Sequence, residues 1–502
     1  MSAKQRSLTV GSSLMTIGRI VTIGFGYAMN VYLARALGPA AFGLLAVIIT
    51  MLAWFELAVA EGLPQWVVRV VDRDAKGPII PQVYLFAQLG IAVALGLLLA
   101  ALAGPLAQLF GQPGATDLFR LSAVDLPLFA LFNLFLATLL GLRAYGQEAI
   151  ANTGYAATKL VATVLFVAAG LSVLGALLGS ITASLGGAVV GLALIVLTFR
   201  GRPLFGKVER RSPEADESEP AAEDGEYGIA RQPEGNAVTG SVFPAVLLLS
   251  QSLVLSADLW IVKIMLPASA AGYYRASGLI ARVPMALSSG LVWSLYSAYS
   301  DARRRGDAER MRHYLSQATR LLLVAGGLWF AVVVPTSRSL LVFIYGPEYA
   351  SGALVLAVLS AGTAAGMTAG ALAPTLLIDN RGRQLVIASV SFVAVEIVVA
   401  LLLTPRLGAV GAALAAAATL CTATLALMFT MRRQLAYSVL PTLVRLLAPA
   451  VVVALLALVV RPPAGLLLLV WYAVATVLYA GLLFVTRGVT MDDVRSVREA
   501  LG

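Results

Sequence analysis

From Leu8 to Thr486, apolar runs long enough to cross a bilayer alternate with short polar breaks, and the breaks that carry Lys and Arg are mostly every second one. A membrane span needs about 20 consecutive apolar residues. Inside hydrocarbon no water satisfies backbone N–H and C=O groups, so runs of this kind must close their own hydrogen bonds as helices. On that ruler the chain divides into about fourteen spans. They cover Leu8–Ala36, Phe42–Val59, Pro81–Ala103, Leu118–Leu142, Ala149–Leu171, Gly175–Phe199, Val242–Leu266 and Tyr273–Tyr299, and six more begin near Ala318, Ala353, Leu385, Ala409, Val444 and Leu466. The expected fold is an all-α polytopic membrane protein.

Composition agrees. Of the 502 residues, 59% are hydrophobic and 12% are charged, against roughly a quarter charged in soluble proteins; that excludes an ordinary globular enzyme. The net charge of +10 does not mark a nucleic-acid binder, because the basic residues cluster in alternate breaks, as the positive-inside rule requires. With Lys4 and Arg6 in the cytoplasm, the breaks at Arg69–Lys76, Arg143, Arg200–Arg211, Arg303–Arg312, Arg381/Arg383, Arg432/Arg433 and Arg487–Arg498 all fall inside. The opposite breaks carry only Arg35, Arg338, Arg406 and Arg461. An even number of spans then leaves both termini on the cytoplasmic side of the cell membrane. The first apolar run is too long for the core of a cleavable signal peptide. Cys421 and His313 are the only residues of their kinds, which removes an intrachain disulfide and argues against a zinc site or a His-based acid–base pair. There is no Walker motif or other nucleotide-binding glycine loop, so no cofactor, no metal and no direct use of ATP is expected.

The chain is organised around one long polar segment, Arg200–Thr239, rich in Pro, Ala, Glu and Asp, with Ser212–Pro220 at its centre. It lacks the apolar residues for a core and reads as a disordered linker. The expected division is residues 1–199 as a first lobe, 200–239 as the linker, 240–431 as a second lobe, and 432–502 as two further helices with a tail. A weak repeat supports two lobes: Tyr32-Leu-Ala-Arg35 leads to Pro39 and Gly43, and Trp260-Ile-Val-Lys263 leads to Pro267 and Gly272. Duplicated halves that hold a substrate between them are a common transporter plan. Small residues at four-residue spacing, Gly175, Gly179, Ala183, Gly187 and Gly191, then Gly362, Gly366 and Gly370, predict close helix packing.

The informative exceptions are charges inside the spans, where a charge costs at least a few kcal/mol and faces the bundle interior or a wet cavity. Arg19 shares a helical face with Ser12, Gly26 and Asn30; Lys159 shares one with Asn152 and Thr163. Arg275 and Arg282 are seven residues apart, toward Ser289 and Trp293, and Lys263 aligns with Ser252 and Ser256. For Arg275 and Lys263 the competing reading is snorkelling near a span end. The acids are Glu56, Glu61, Asp125, Asp258 and Glu396, with Glu396 the most isolated and Asp258 aligned with Gln251. Each acid is either half of a structural ion pair or a coupling site for sodium or protons. The stretch Asp301–Tyr314 and the tail from Thr490 to Leu501, where Thr490 and Asp493 suggest a capping box, read as solvated faces that hold topology, with surface helices as the alternative.

The chain resembles the polysaccharide or oligosaccharide flippases of the multidrug/oligosaccharidyl-lipid/polysaccharide exporter superfamily. Four segments carry the resemblance, in order over most of the chain: Leu33–Gly43, Asp258–Pro284, Tyr299–Asp307 continuing to Ile344–Tyr349, and Leu403–Ala413. The resemblance implies two six-helix lobes around a central cavity plus two C-terminal helices. It also implies alternating-access transfer of a polyprenyl-linked oligosaccharide from the cytoplasmic to the outer leaflet, for cell-surface polysaccharide or glycoconjugate biosynthesis. Expected partners are that lipid-linked substrate, the bilayer and glycan-assembly enzymes, with no nucleic acid. The acidic linker is longer than the family plan implies.

Cations in a wet cavity suit an anionic head group, and guanidinium meets pyrophosphate oxygens bidentately. The candidate substrate-binding residues are therefore Arg19, Asn30, Lys159, Arg275, Arg282 and Lys263. The candidate ion-coupling residues are Glu396, Asp258, Glu56, Glu61 and Asp125, with sodium, protons or membrane potential as the driving force. The competing functions are lipid II flipping, multidrug or cation antiport within the same superfamily, and a membrane glycosyltransferase or polysaccharide polymerase. The last would need acids presented at a membrane face, and the longest outer break, Arg338–Gly352, has only Glu348.

Overall fold

The structure is a computed structural model, and it describes residues 3–60, 63–71, 79–206, 247, 249–379, 381–432, 434–435, 439–460, 465–486 and 488. Glu61 and the linker core Ser212–Pro220 lie outside the described residues, as does the tail beyond Gly488. Among the described residues, eleven helical runs are long and apolar enough to cross a membrane.

Two of those runs are long enough for two crossings. Ile20–Ala60 has 41 residues and Tyr145–Thr198 has 54; at about 1.5 Å per residue each is at least twice the roughly 30 Å of hydrocarbon. Both bend where the backbone leaves the helical region. Helix α1 (Ala3–Ala60) breaks at Gly38 (φ 71°, ψ 170°), just before Pro39, which is the turn predicted from Gly38-Pro39. Helices α6 (Tyr145–Phe166) and α7 (Ser172–Thr198) are joined by Val167–Leu171, where Gly170 has φ 89°. Only glycine takes such a φ without a steric penalty. The expected span at Val242–Leu266 is described only in part, with the regular helix α8 at Ala257–Met265.

The chain divides into two compact units. The first comprises Met1–Pro220 with Pro267–Gly272, and the second Ala221–Leu266 with Tyr273–Gly502. In the first unit, α1 is followed by the short α2 (Leu63–Val70), α3 (Gln82–Leu109), α4 (Thr116–Ala123), α5 (Asp125–Gly141), α6 and α7. A two-residue parallel ladder, β1 (Ile80–Pro81) with β2 (Phe205–Gly206), ties the segment before α3 to the segment after α7. Helices α6 and α7 form a tight antiparallel pair. A Cβ on Gly175 would lie 2.9 Å from the carbonyl carbon of Phe166, one on Gly179 would lie 2.7 Å from Cα of Thr163, and one on Gly187 would lie 3.2 Å from the ring of Tyr155. As the numbers rise along α7 they fall along α6. Phe132 of α5 stacks on Tyr155 of α6 at 4.6 Å between centroids and 17° between planes, inside a core of Val67, Ile80, Phe135 and Leu139.

In the second unit, α9 (Ala268–Ala281, of which Ala268–Gly272 is assigned to the first unit) and α10 (Val283–Arg304) flank a break at Arg282, with Pro284 in the first turn of α10. Then come α11 (Ala308–Tyr345), α12 (Ala353–Ile378), α13 (Gly382–Leu407), α14 (Ala409–Thr430), α15 (Val439–Val460) and α16 (Leu467–Val485). Helices α12 and α14 run parallel, with a Cβ on Gly362 reaching to 2.5 Å from Cα of Ala417 and one on Gly366 to 3.0 Å from Leu420. Gly370, predicted to continue this ridge, meets nothing within 4 Å. The last two helices attach to α11: Tyr479 donates to the carbonyl of Val324 at 3.1 Å, and Tyr472 shares a 3.0 Å hydrogen bond with Thr336. The basic stretch after Asp301 is no surface helix. It is the end of α10, a turn at Gly306 (φ 70°) and the start of α11, whose N-cap Asp307 accepts from the Arg310 N–H at 3.0 Å.

These close approaches carry a direct consequence. Overpacking a tight contact costs about 1–3 kcal/mol. Gly179→Ala and Gly362→Ala are expected to lower the unfolding midpoint of the purified protein in detergent, whereas Gly370→Ala leaves it unchanged; thermal unfolding followed by tryptophan fluorescence reads the difference.

Candidate functional site

Each unit holds its own charge cluster, centred on buried acids. In the first, Lys159 of α6 points its ammonium at the side chain of Tyr155, one helical turn earlier. The Nζ lies 3.3 Å from the tyrosine oxygen and 5.6 Å from the ring centroid. Tyr155 cannot swing away, because Phe132 stacks on it. Among the described residues no carboxylate forms an ion pair with Lys159 within 4.0 Å; Glu56 of α1 lines the same small cavity as Lys159, and Asp125 of α5 lies in the same unit. Asp125 is fully buried. Its Oδ2 accepts from the Ser180 hydroxyl of α7 at 2.8 Å, while Oδ1 has no hydrogen-bond partner. A small cavity within this unit is lined by Met29, Leu52, Glu56, Lys159, Thr163 and Ser180, among others. Thr163 is 1% exposed and its hydroxyl is likewise unpartnered.

In the second unit the centre is Asp258 at the start of α8, 1% exposed. Its Oδ2 accepts from the Tyr274 hydroxyl at 2.7 Å and faces the Arg282 guanidinium at 3.5 Å. Its Oδ1 accepts from the Leu259 N–H at 2.7 Å. Arg282 keeps 24% of its side chain exposed. One edge of the guanidinium answers the buried acid, and the remaining donors stay accessible. Glu396 of α13 is 1% exposed. It senses the charges of Asp258 and Arg282, yet neither of its oxygens has a hydrogen-bond partner. A carboxylate left in that condition is costly unless it is neutralised.

The remaining candidates are dispersed. The Asn30 side chain donates to the carbonyl of Gly26 at 2.8 Å, which occupies part of its amide. Lys263 is 3% exposed and forms no ion pair among the described residues. Arg275 lies on α9, seven residues before Arg282 and partly exposed. Arg19 lies on α1; its side chain is outside the described residues, as is Glu61. Four groups were not singled out from the sequence: Tyr155, Tyr274, Ser180 and Phe132. Tyr155 has a signal, since it precedes Lys159 by one turn, a spacing that brings side chains together. Ser180 and Phe132 have none, because their partners lie on other helices.

Each cluster lies on a helix that a glycine of the next helix brings close. Gly411 of α14 closes on α13 as Gly175 closes on α6: an added Cβ would lie 2.5 Å from the carbonyl carbon of Leu403 and 2.8 Å from the N of Thr404. Counting seven residues back from Leu403 gives Glu396, and seven back from Phe166 gives Lys159. One of these helices thus carries a cation and the other an acid. Each unit nonetheless assembles one inventory: two carboxylates, one cation and one tyrosine, as Glu56, Asp125, Lys159 and Tyr155, and as Asp258, Glu396, Arg282 and Tyr274.

Helices of this length and polarity in this arrangement define a multi-pass membrane protein. The fold is similar to those of transporters of the MOP superfamily. A structure described as the lipid II flippase MurJ in an inward closed conformation has a TM-score of 0.68 at 12% identity, covering 95% of this chain and 98% of that one. An inward-facing multidrug resistance MATE family transporter of the superfamily has a TM-score of 0.61 at 13% identity, over 83% and 98%. A MOP superfamily transporter from Pyrococcus furiosus Vc1, titled for the reverse polarity of its binding pocket, has a TM-score of 0.52 at 14% identity, over 84% and 95%. At the level of family, residues 8–215 match the model of the family described as "Polysaccharide biosynthesis protein", which bears out the resemblance read from the sequence. No curated protein matches the chain's sequence.

Coupling within the Asp258 cluster is measurable. Directly contacting charged residues show interaction energies of about 0.5–3 kcal/mol in double-mutant cycles. Asp258→Asn and Arg282→Gln are each expected to destabilise the protein, and the double variant to be more stable than the sum of the two losses predicts. Denaturant or thermal unfolding in detergent micelles gives the cycle.

Proposed function

We propose that this protein is a flippase that moves a polyprenyl-(pyro)phosphate-linked oligosaccharide from the cytoplasmic to the outer leaflet of the cell membrane, by alternating access, during cell-surface polysaccharide or glycoconjugate synthesis. The observation that carries this reading is the match of residues 8–215 to the polysaccharide biosynthesis family. The Lys/Arg bias of the polar breaks supports a cytoplasmic placement of both termini. Transport rather than glycosyl transfer is favoured because the buried acids of each unit lie beside cations and tyrosines in apolar helices, not on an exposed face where a sugar could reach them.

Arg282 is the residue best suited to the anionic head group, since its pairing with Asp258 fixes one edge and leaves donors for a phosphate. Arg19, Arg275 and Lys263 remain candidates for the same role. Lys159 already meets the Tyr155 oxygen and shares a cavity with Glu56, so its charge is largely answered within the protein. Asp258 and Glu396 are the proposed coupling site in the second unit: the unpartnered Glu396 carboxylate takes up a proton or a sodium ion as substrate moves. A second reading, a lipid II-type substrate, is favoured by the high fold similarity to a lipid II flippase. The two substrates share the polyprenyl pyrophosphate and differ in the sugar.

Reconstitution in lipid vesicles tests both. Translocation of a fluorescent polyprenyl-pyrophosphate oligosaccharide, measured beside lipid II and a cationic drug, is expected for the oligosaccharide carrier. Arg282→Ala is expected to reduce it about tenfold or more, because hydrogen bonds to charged groups are worth roughly 1.5–3 kcal/mol. Glu396→Gln is expected to abolish the dependence on a proton or sodium gradient. Transport of the drug alone overturns the reading, and full activity of Arg282→Ala overturns only the residue assignment.

A further inference from the structure

Arg282 stands at a helix break, and its ion pair does not hold it there. The 3.5 Å separation from Asp258 Oδ2 is longer than the roughly 2.7–2.9 Å of a charge-assisted hydrogen bond. The carboxylate attracts the guanidinium without clamping it, so the backbone decides where the remaining donors point. At Arg282 that backbone has φ −89° and ψ −3°, in the sparsely populated bridge region at the edge of the helical basin. Pro284 accounts for part of the break, because it brings no N–H to the carbonyl four residues before it, that of Ile280.

The next carbonyl along is held from another helix. The Thr363 hydroxyl of α12 donates to the carbonyl of Ala281 at 2.7 Å and lies 3.2 Å from the carbonyl of Ser360. A hydroxyl has one proton to give, and the shorter contact is the one between helices. This departs from the usual habit of a helical threonine: Thr319, Thr422 and Thr430 donate to the carbonyl four residues earlier in their own helices. Thr363 is 2% exposed and Ala281 fully buried, so water does not compete for the contact. Both of its sides are fixed. Beside Thr363, a Cβ on Gly362 would lie 2.5 Å from Cα of Ala417, so α12 rests backbone against backbone on α14. One turn before Ala281, the Ser277 hydroxyl of α9 donates at 3.0 Å to the carbonyl of Gly352, just before α12. Asp258, at the far end of the ion pair, is fixed in turn by the Tyr274 hydroxyl and the Leu259 N–H.

We propose that Thr363 is a positioning residue for Arg282: by holding the Ala281 carbonyl, its hydroxyl sets the helix break from which the guanidinium reaches Asp258 on one edge and an anionic head group on the other. Thr363 touches neither the acid nor the ligand and acts through the backbone of the residue before Arg282. The placement of Arg282 stands on geometry alone; the head-group half rests on the transport role proposed for that arginine.

Unfolding cycles in detergent test the placement without any substrate. With Thr363 in place, Asp258→Asn and Arg282→Gln are expected to be non-additive, as contacting charges are. In a Thr363→Val background, which keeps the shape and removes the donor, the two changes are expected to become additive; in Thr363→Ser they stay non-additive. Thr363→Ala repeats the measurement should the valine variant fail to fold. A hydroxyl that only stabilises the bundle lowers the unfolding midpoint of Thr363→Val but leaves the coupling of the pair intact. Retained non-additivity in Thr363→Val and Thr363→Ala therefore overturns the proposal, as does its loss in Thr363→Ser. Vesicle transport tests the head-group half. The concentration of polyprenyl-pyrophosphate oligosaccharide that gives half-maximal translocation is expected to rise in Thr363→Val toward the Arg282→Ala value, and to rise no further when the two are combined. A combined rise equal to the product of the separate ones overturns that half. Wild-type protein that moves no lipid-linked oligosaccharide overturns the transport reading instead, and the unfolding cycle still decides the placement of Arg282.

Discussion

An ionised side chain in the middle of an apolar helix bundle has to be answered, and that requirement organises this protein more than any single packing contact. Translocon-scale costs of about 2.5–3.5 kcal/mol per charge at the bilayer centre exceed what one well-packed small-residue contact returns. Two of the close helix contacts lie beside such charges. Gly179 lets α7 reach α6 next to Thr163, one turn beyond Lys159. Gly411 does the same for α14 against α13, beyond Glu396. Close backbone approach shrinks the space around the charge, so its partners must come from side chains on the neighbouring helices: Asp125 with Ser180 in one unit, Asp258 with Tyr274 and Arg282 in the other.

Lys159 and Glu396 are charges of opposite sign, and in each unit the compensation comes from other helices. Around the lysine, the acids come from α1 and α5; around the glutamate, the second acid and the cation come from α8 and the break at Arg282. What the two clusters share is the stoichiometry of their charges. Two acids for one cation is a poor choice for a purely structural ion pair, where one-to-one pairing leaves nothing to neutralise.

Much of the fold was readable from span length and punctuation. The run from Leu8 to Val59 exceeds one membrane thickness, and Gly38-Pro39 marks its turn because both residues resist a continuous helix. The charged residues were equally visible, since any charge in an apolar run stands out. Their pairing was not. A helical wheel places Lys159, Asn152 and Thr163 on one face but is silent about which helix that face meets, so neither Tyr155 as its hydrogen-bond partner nor Glu56 as its neighbour across the cavity could be read. Asp258 and Arg282 lie 24 residues apart, across a turn and a helix break, and no local spacing rule links them. The β1–β2 ladder joins segments 125 residues apart in sequence, and two residues carry no readable strand pattern.

The proposed coupling at Glu396 has an energetic requirement. Moving a two-state equilibrium from about 1:99 to about 99:1 requires roughly 5.5 kcal/mol of differential binding. On the translocon scale a charge at the bilayer centre costs about 2.5–3.5 kcal/mol, so on that scale neutralising one carboxylate shifts the populations strongly but leaves both states occupied. In the proposed cycle the rest of the shift falls to the substrate, whose anionic head group must meet Arg282 better in one state than in the other, because a ligand with equal affinity for both states shifts nothing.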